Sequence, residues 1–117
     1  MKKLKFVIVI PARFKSSRFP GKPLALIKGK PMIYHVWRQC IKAVNRKNIF
    51  IATDDIRIKN ICLKYSMNYQ MTSSKCKTGT DRMYDFSKKI PADLYINVQG
   101  DEPKIKPKDI KKIIKLG

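Results

Sequence analysis

Residues 5–24 read KFVIVIPARFKSSRFPGKPL, an apolar run that ends at a proline and opens into a basic loop. Lys5–Ile10 is short, rich in β-branched residues and nearly free of polar ones, which predicts a strand buried on both faces. The loop after it carries Arg13, Lys15, Arg18 and Lys22, and no Asp or Glu occurs before Asp54. Strands covered on both faces belong to parallel sheets, in which ligands bind beyond the carboxyl ends of the strands. A basic loop at that place is the first candidate for a site.

Outward from this stretch, strand and helix patterns alternate. Leu24–Ile27 predicts a short extended piece before the turn Lys28-Gly29-Lys30. Pro31 suits the first turn of a helix, and Met32, Ile33, Val36, Trp37, Cys40, Ile41 and Val44 recur at helical spacing over roughly 31–45. Ile49–Thr53 (IFIAT) predicts a second buried strand, with Thr53 or Asp54 capping a helix near 55–65. Asn68–Thr72 predicts a weaker third strand, Thr80 or Asp81 opens a helix through about Lys89, Leu94–Val98 (LYINV) predicts a fourth strand, and a basic helix starts at Pro107. Four strands interleaved with helices imply βαβ units, a mainly parallel sheet, and helices on both of its faces. The segments at the functional edge are then 11–22, 53–55, 72–82 and 99–103.

Composition narrows the class. The chain has 117 residues, enough for one domain. Its 27 Lys and Arg against 8 Asp and Glu leave a net charge of +19, which favours polyanionic partners. Heavy use of Lys, Ile and Asn throughout spreads that charge along the chain, so charge alone does not choose a partner. No apolar run reaches the length of a membrane span. The opening MKKLKFVIVIPARF mimics a secretory signal, but its apolar core is too short and meets Pro11 and Arg13 where small residues should lie; a cytoplasmic location is expected. Cys40, Cys62 and Cys76 are widely spaced with a single histidine, His35, which predicts free thiols rather than disulfides or a zinc site.

Three strand-end segments carry chemistry. Arg13, Lys15, Arg18 and Lys22, with two serine hydroxyls and Gly21, form a cradle suited to a triphosphate, since charge-assisted bonds to phosphate oxygens are strong. The spacing is not that of a Walker A loop, and a merely solvated basic loop is the alternative. Asp101 and Glu102 follow the fourth strand, where a carboxylate holds Mg²⁺ with few protein ligands or simply shapes a turn before Pro103. Lys77–Arg82 (KTGTDR) offers helix-start N–H groups to a phosphate, ribose or base edge, or is only a helix cap. His35 is expected at the surface or core edge, Met32 and Trp37 in the core, and the Lys104–Lys115 run as a solvated helix face whose Ile105, Ile110, Ile113 and Ile114 could instead dock another segment.

The segments PARFKSSRFPGKPL, IATDD, KTGTDR and YINVQGDEP, in this order and at compatible spacing, resemble those of the 3-deoxy-manno-octulosonate (Kdo) cytidylyltransferases, the CMP-Kdo synthetases. The resemblance covers essentially the whole chain. It implies a three-layer α/β/α, Rossmann-like nucleotide-diphospho-sugar transferase fold, and Mg²⁺-dependent transfer of CMP from CTP to Kdo, a step toward lipopolysaccharide. Carried over, Arg13, Arg18 and Lys22 would hold the triphosphate, and Pro11 and Ala12 would border the base and ribose. Thr78, Gly79, Arg82 and Gln99 would lie on the nucleotide, and Asp101 would bind the metal, with Arg13, Lys22 and Asp101 forming the catalytic set. Residues 1–117 would be the nucleotide-binding part of one domain. A second metal-binding aspartate, most sugar contacts and the homodimer interface would belong to a carboxyl-terminal part absent from this chain, leaving little or no activity. The alternatives are cytidylyl transfer to another acidic sugar, amino-Kdo or sialic-type, and a non-enzymatic basic module binding nucleic acid. No recognition-helix, zinc-finger or RNP-like motif supports the last of these.

Overall fold

The computed structural model describes residues 3–14, 21–100 and 104–116. Its elements run β1 (Leu4–Pro11), the short strands β2 (Leu26–Ile27) and β3 (Lys30–Pro31), then α1 (Met32–Ile41), β4 (Ile49–Thr53) and α2 (Ile56–Lys64). They continue with β5 (Tyr69–Met71), α3 (Gly79–Lys89), β6 (Ala92–Asn97) and α4 (Pro107–Leu116). The main sheet has the order β5-β4-β1-β6, with every pairing parallel. The chain builds outward from β1 through β4 to β5, then returns across the sheet to place β6 on the other side of β1. Between β1 and β6 the direction of winding switches, which is where an open α/β sheet leaves its crevice.

Alternation along β1 divides the core. Ile8 and Ile10 face a large cluster with Ile33, Val36, Trp37 and Cys40 of α1, Ile58 and Cys62 of α2, and Ile110 of α4. Val7 and Val9 face the opposite side, against Phe86 and Ile90 at the end of α3. Period-two strand geometry makes this split possible, and it yields the three expected layers. Tyr95 closes the smaller side, its hydroxyl donating to Ile90 O at 2.7 Å and accepting from Ala92 N at 2.9 Å.

Several boundaries differ from the sequence expectation. The first helix stops at Ile41, short of the expected end near residue 45. Ala43 N and Val44 N both turn back to Cys40 O, and Asn45 Oδ1 accepts from Lys47 N to cap a 3₁₀ turn. Ala43 and Val44 still pack on the core, so the apolar period outlasts the helix that it marked. The extended piece near Leu24–Ile27 is a hairpin. Lys22–Leu24 form a 3₁₀ turn, and β2 and β3 pair across Lys28-Gly29, both at positive φ (51° and 81°), the conformation of a type I′ turn. His35 Nε2 lies 2.7 Å from Ile27 O and pins that hairpin to α1, a core-edge role as expected. Trp37 is core and Met32 half-buried.

The isoleucines of the last segment serve this chain's own core. Ile110 is fully buried, Ile105 and Ile114 pack against the larger cluster, and Gln39 Nε2 donates to Ile105 O at 2.8 Å. Only Ile113 among them stays exposed, beside Asp109 and the lysines of the helix's outer face.

All three cysteines are free. Burial pushes the Cys40 and Cys62 thiols up to about 12, while Cys76 is partly exposed. A thiolate-selective reagent at pH 8 is therefore expected to label one thiol per native chain, Cys76, and all three after denaturation. Rapid native labelling of Cys40 or Cys62 would contradict this packing.

Candidate functional site

The carboxyl ends of the four strands are held side by side. Val98 N donates to Val9 O at 3.0 Å, Ala12 N to Ala52 O at 2.9 Å, and Thr72 N to Thr53 O at 2.8 Å, each extending the ladder past the regular strands. Gly100 is buried against the end of β1: a Cβ there would stand 3.0 Å from Pro11 O and 3.6 Å from the Ala12 side chain. A side chain at that position would have to push the β1 backbone, so glycine is what allows the chain after β6 to pack this closely on the end of β1. Asp101 and Glu102 themselves, like Lys15 and Arg18, lie outside the described residues.

Arg13 joins the first strand end to the third segment. Its exposed guanidinium donates from Nη1 to Lys77 O at 3.3 Å, across 64 positions of sequence, at the entrance to α3. The start of α3 is a reciprocal capping box. Thr78 Oγ1 accepts from Asp81 N at 3.0 Å, and the Asp81 carboxylate accepts from Thr78 N at 3.3 Å and Lys77 N at 3.1 Å. The cap is therefore Thr78, not Thr80 or Asp81, because the Thr-x-x-Asp pairing satisfies more orphan N–H groups. Thr78 and Gly79 remain exposed at the helix start, where the helix dipole favours an anion. Gln99 is exposed on the β6 side of the crevice, and Ala12 is buried in its floor.

Arg82 behaves differently from the expectation of nucleotide contact. It is 1% exposed, the largest fully buried side chain of the described residues. Its Nη1 donates to Thr72 Oγ1, and its Nη2 lies 3.7 Å from Asp54 Oδ2. One turn into α3, it thus ties the ends of β4 and β5 to the helix. The spacing of KTGTDR placed it near the site but could not show that its head turns inward.

Two further residues escaped the sequence reading. Asp55, not Thr53 or Asp54, caps α2: its Oδ1 accepts from Arg57 N at 2.8 Å, while Thr53 Oγ1 accepts from Asp55 N at 3.1 Å. The Arg57 guanidinium grips the same carboxylate at 3.0 and 2.7 Å, and its hydrogen bonds hold the Asp55 pKa below the usual carboxylate value. Arg57 also lies over Phe14 of the basic loop. The adjacent pair Asp54-Asp55 was the available signal, since one carboxylate can cap while the other turns to a cation.

A divalent cation needs a set of oxygen donors. Among the described residues no group of three or more His, Cys, Asp or Glu side chains comes together, and Asp54 is directed at Arg82. The described residues do not by themselves fit a metal. No helix among them is long and apolar enough to cross a membrane.

Similarity to characterised proteins agrees with this architecture. The chain is 44% identical over 110 residues to the 3-deoxy-manno-octulosonate cytidylyltransferase of Escherichia coli, covering 94% of this chain and 45% of that protein. It is 47% identical over 112 residues to an 8-amino-3,8-dideoxy-manno-octulosonate cytidylyltransferase of Shewanella sp. (strain ANA-3), covering 93% and 46%. A solved structure of CMP:2-keto-3-deoxy-manno-octonic acid synthetase complexed with CTP superposes with a TM-score of 0.90 at 44% identity, over 95% of this chain and 46% of that one. The chain thus spans about half the length of the relatives it matches. The cytidylyltransferase family profile matches residues 7–116, nearly the whole sequence, and with the parallel α/β fold and the converging strand ends it makes this chain a member of the cytidylyltransferase family.

Proposed function

We propose that this chain is the nucleotide-binding part of an enzyme that transfers CMP from CTP to 3-deoxy-manno-octulosonate in the cytoplasm. In the reaction the anomeric hydroxyl oxygen bonds to the α-phosphorus, the bond from that phosphorus to the bridging oxygen breaks, pyrophosphate leaves, and the hydroxyl proton is lost. The observation that carries this reading is the meeting of three loops in one crevice, Arg13 on Lys77 O and Gly100 on Pro11 O. Its support from similarity is 44% identity to a synthetase complexed with CTP.

Within this reading, Arg13 and Lys22, with Arg18, hold the triphosphate and spread its charge. Such positioning and neutralisation supply most of the catalysis in phosphoryl chemistry. Thr78 and Gly79 offer the α3 start to the nucleotide, Pro11 and Ala12 border its base and ribose, and Gln99 lies toward the acceptor. Arg82 acts from beneath, holding the α3 start against the ends of β4 and β5. Magnesium would screen the phosphates, with Asp101 as one ligand. The remaining ligands, the sugar contacts and the homodimer surface fall to residues outside this sequence.

A second acceptor, the 8-amino analogue, is favoured by the 47% identity to enzymes named for it. A test of the nucleotide assignment is thermal protection. CTP with Mg²⁺ is expected to raise the melting temperature more than ATP with Mg²⁺ at equal concentration, because only a ligand bound to the folded state stabilises it. Equal protection by both, or steep salt-dependent binding to DNA in place of either, would overturn the assignment.

A further inference from the structure

We infer that Arg57 and Phe14 are positioning residues that set the separation of Arg13 and Lys22, an inference that rests on the nucleotide reading above. The basic loop has a closed neck. Gly21 N donates to Phe14 O, so the residues just inside Arg13 and Lys22 are bonded to each other. Gly21 sits at φ +75°, and a Cβ there would lie 2.8 Å from Phe14 Cε2, so the ring packs directly against its backbone. Over the same ring lies the Arg57 guanidinium, its Cζ 3.2 Å from the ring centroid. Phe14 also rests against the larger core cluster, so the ring is held from several sides.

Arg57 is itself held. Its Nε and Nη2 bond both oxygens of Asp55, and Asp55 is anchored by Thr53 Oγ1 at the end of β4 and by its capping bond to α2. A continuous series of contacts therefore runs from the buried end of β4 through Asp55 and Arg57 to Phe14 and Gly21. With both carboxylate oxygens on it, Arg57 is fitted to stack on the ring rather than to grip a phosphate. Its planar guanidinium suits a ring face, which a lysine ammonium does not match. A triphosphate held by two cations needs their spacing fixed before it binds, since ordering them at the moment of binding costs affinity. Arg13 and Lys22 each adjoin a residue of this pinned neck.

The test uses the 117-residue chain with Phe14→Leu, Phe14→Tyr, Arg57→Ala and Arg57→Lys. Affinities for CTP and for cytidine are measured by calorimetry, and exchange of the Gly21 amide by NMR. Leucine keeps apolar bulk without a π face, and tyrosine keeps the face. A cation–π contact at a half-exposed site predicts that F14L and R57A each weaken CTP binding about two- to fivefold and speed Gly21 exchange by a similar factor. Cytidine affinity should move less than twofold, F14Y should match wild type, and R57K should fall with R57A. A loosened fold would lower cytidine and CTP affinity alike, so the split between them separates positioning from general damage. If R57A unfolds, F14L against F14Y still decides. Wild-type CTP affinity and Gly21 protection in F14L would overturn the inference. Absence of CTP binding in wild type, with Gly21 exchange still faster in F14L, would reject the nucleotide reading and leave the pinned neck standing.

Discussion

Arg82→Ala is expected to lower the free energy of unfolding by about 2–5 kcal/mol, the range for truncating a large buried side chain to alanine and leaving its cavity. The change strands the Thr72 hydroxyl, leaves Asp54 without its cation and opens a cavity where the largest fully buried side chain stood. Set against the roughly 5–15 kcal/mol that stabilises an ordinary domain, that is a large fraction of the total. Arg82→Met, which keeps most of the stem and removes the charged head, should fall between wild type and Arg82→Ala. Asp54 is a quarter exposed and can take water once unpaired, so its share of the loss is the smaller one. Urea unfolding followed by circular dichroism measures all three proteins. A loss below about 1 kcal/mol in Arg82→Ala would show that the Thr72–Arg82–Asp54 tie does not hold the strand ends, because typical surface changes stay within that range.

Arg13→Ala and Lys22→Ala are each expected to weaken CTP binding by about 10- to 100-fold while leaving cytidine affinity nearly unchanged. A hydrogen bond to a charged group contributes about 1.5–3 kcal/mol, and each 1.4 kcal/mol is tenfold in affinity. Arg13 is exposed and spans from the β1 end to Lys77, so its loss removes an anion donor without emptying the core. The double variant should lose less than the sum if both cations share one phosphate, since neighbouring sites couple. Calorimetric titration with CTP, CMP and cytidine separates the phosphate-dependent part. Equal losses for CTP and cytidine would remove these two residues from the phosphate and make them supports of the loop instead.

Much of the fold was legible from local pattern. KFVIVI and IFIAT are runs that only a strand covered on both faces would carry, and both are central strands. The helix starting near Met32 followed from apolar spacing and those near Ile56, Gly79 and Pro107 from cap and proline signals, with ends displaced where the capping chemistry differed. Asp55 and Thr78 captured the caps expected of their neighbours, because a cap depends on which side chain reaches back to its own N–H groups, a matter of one residue. The basic loop was also visible, as cations gathered after the first strand with no acid beside them.

The sequence by itself determined the alternation of elements, the parallel sheet and the concentration of cations after the first strand, since each is written in neighbours within a few positions. Only the tertiary structure decided that Arg82 turns inward to Thr72 and Asp54 while Arg13 stays outside, and that Arg57 lies on Phe14. These arginines share one chemistry. Their fates differ through partners 10 to 64 positions away, where burial and charge pairing are set by the packing of strands and not by any local period.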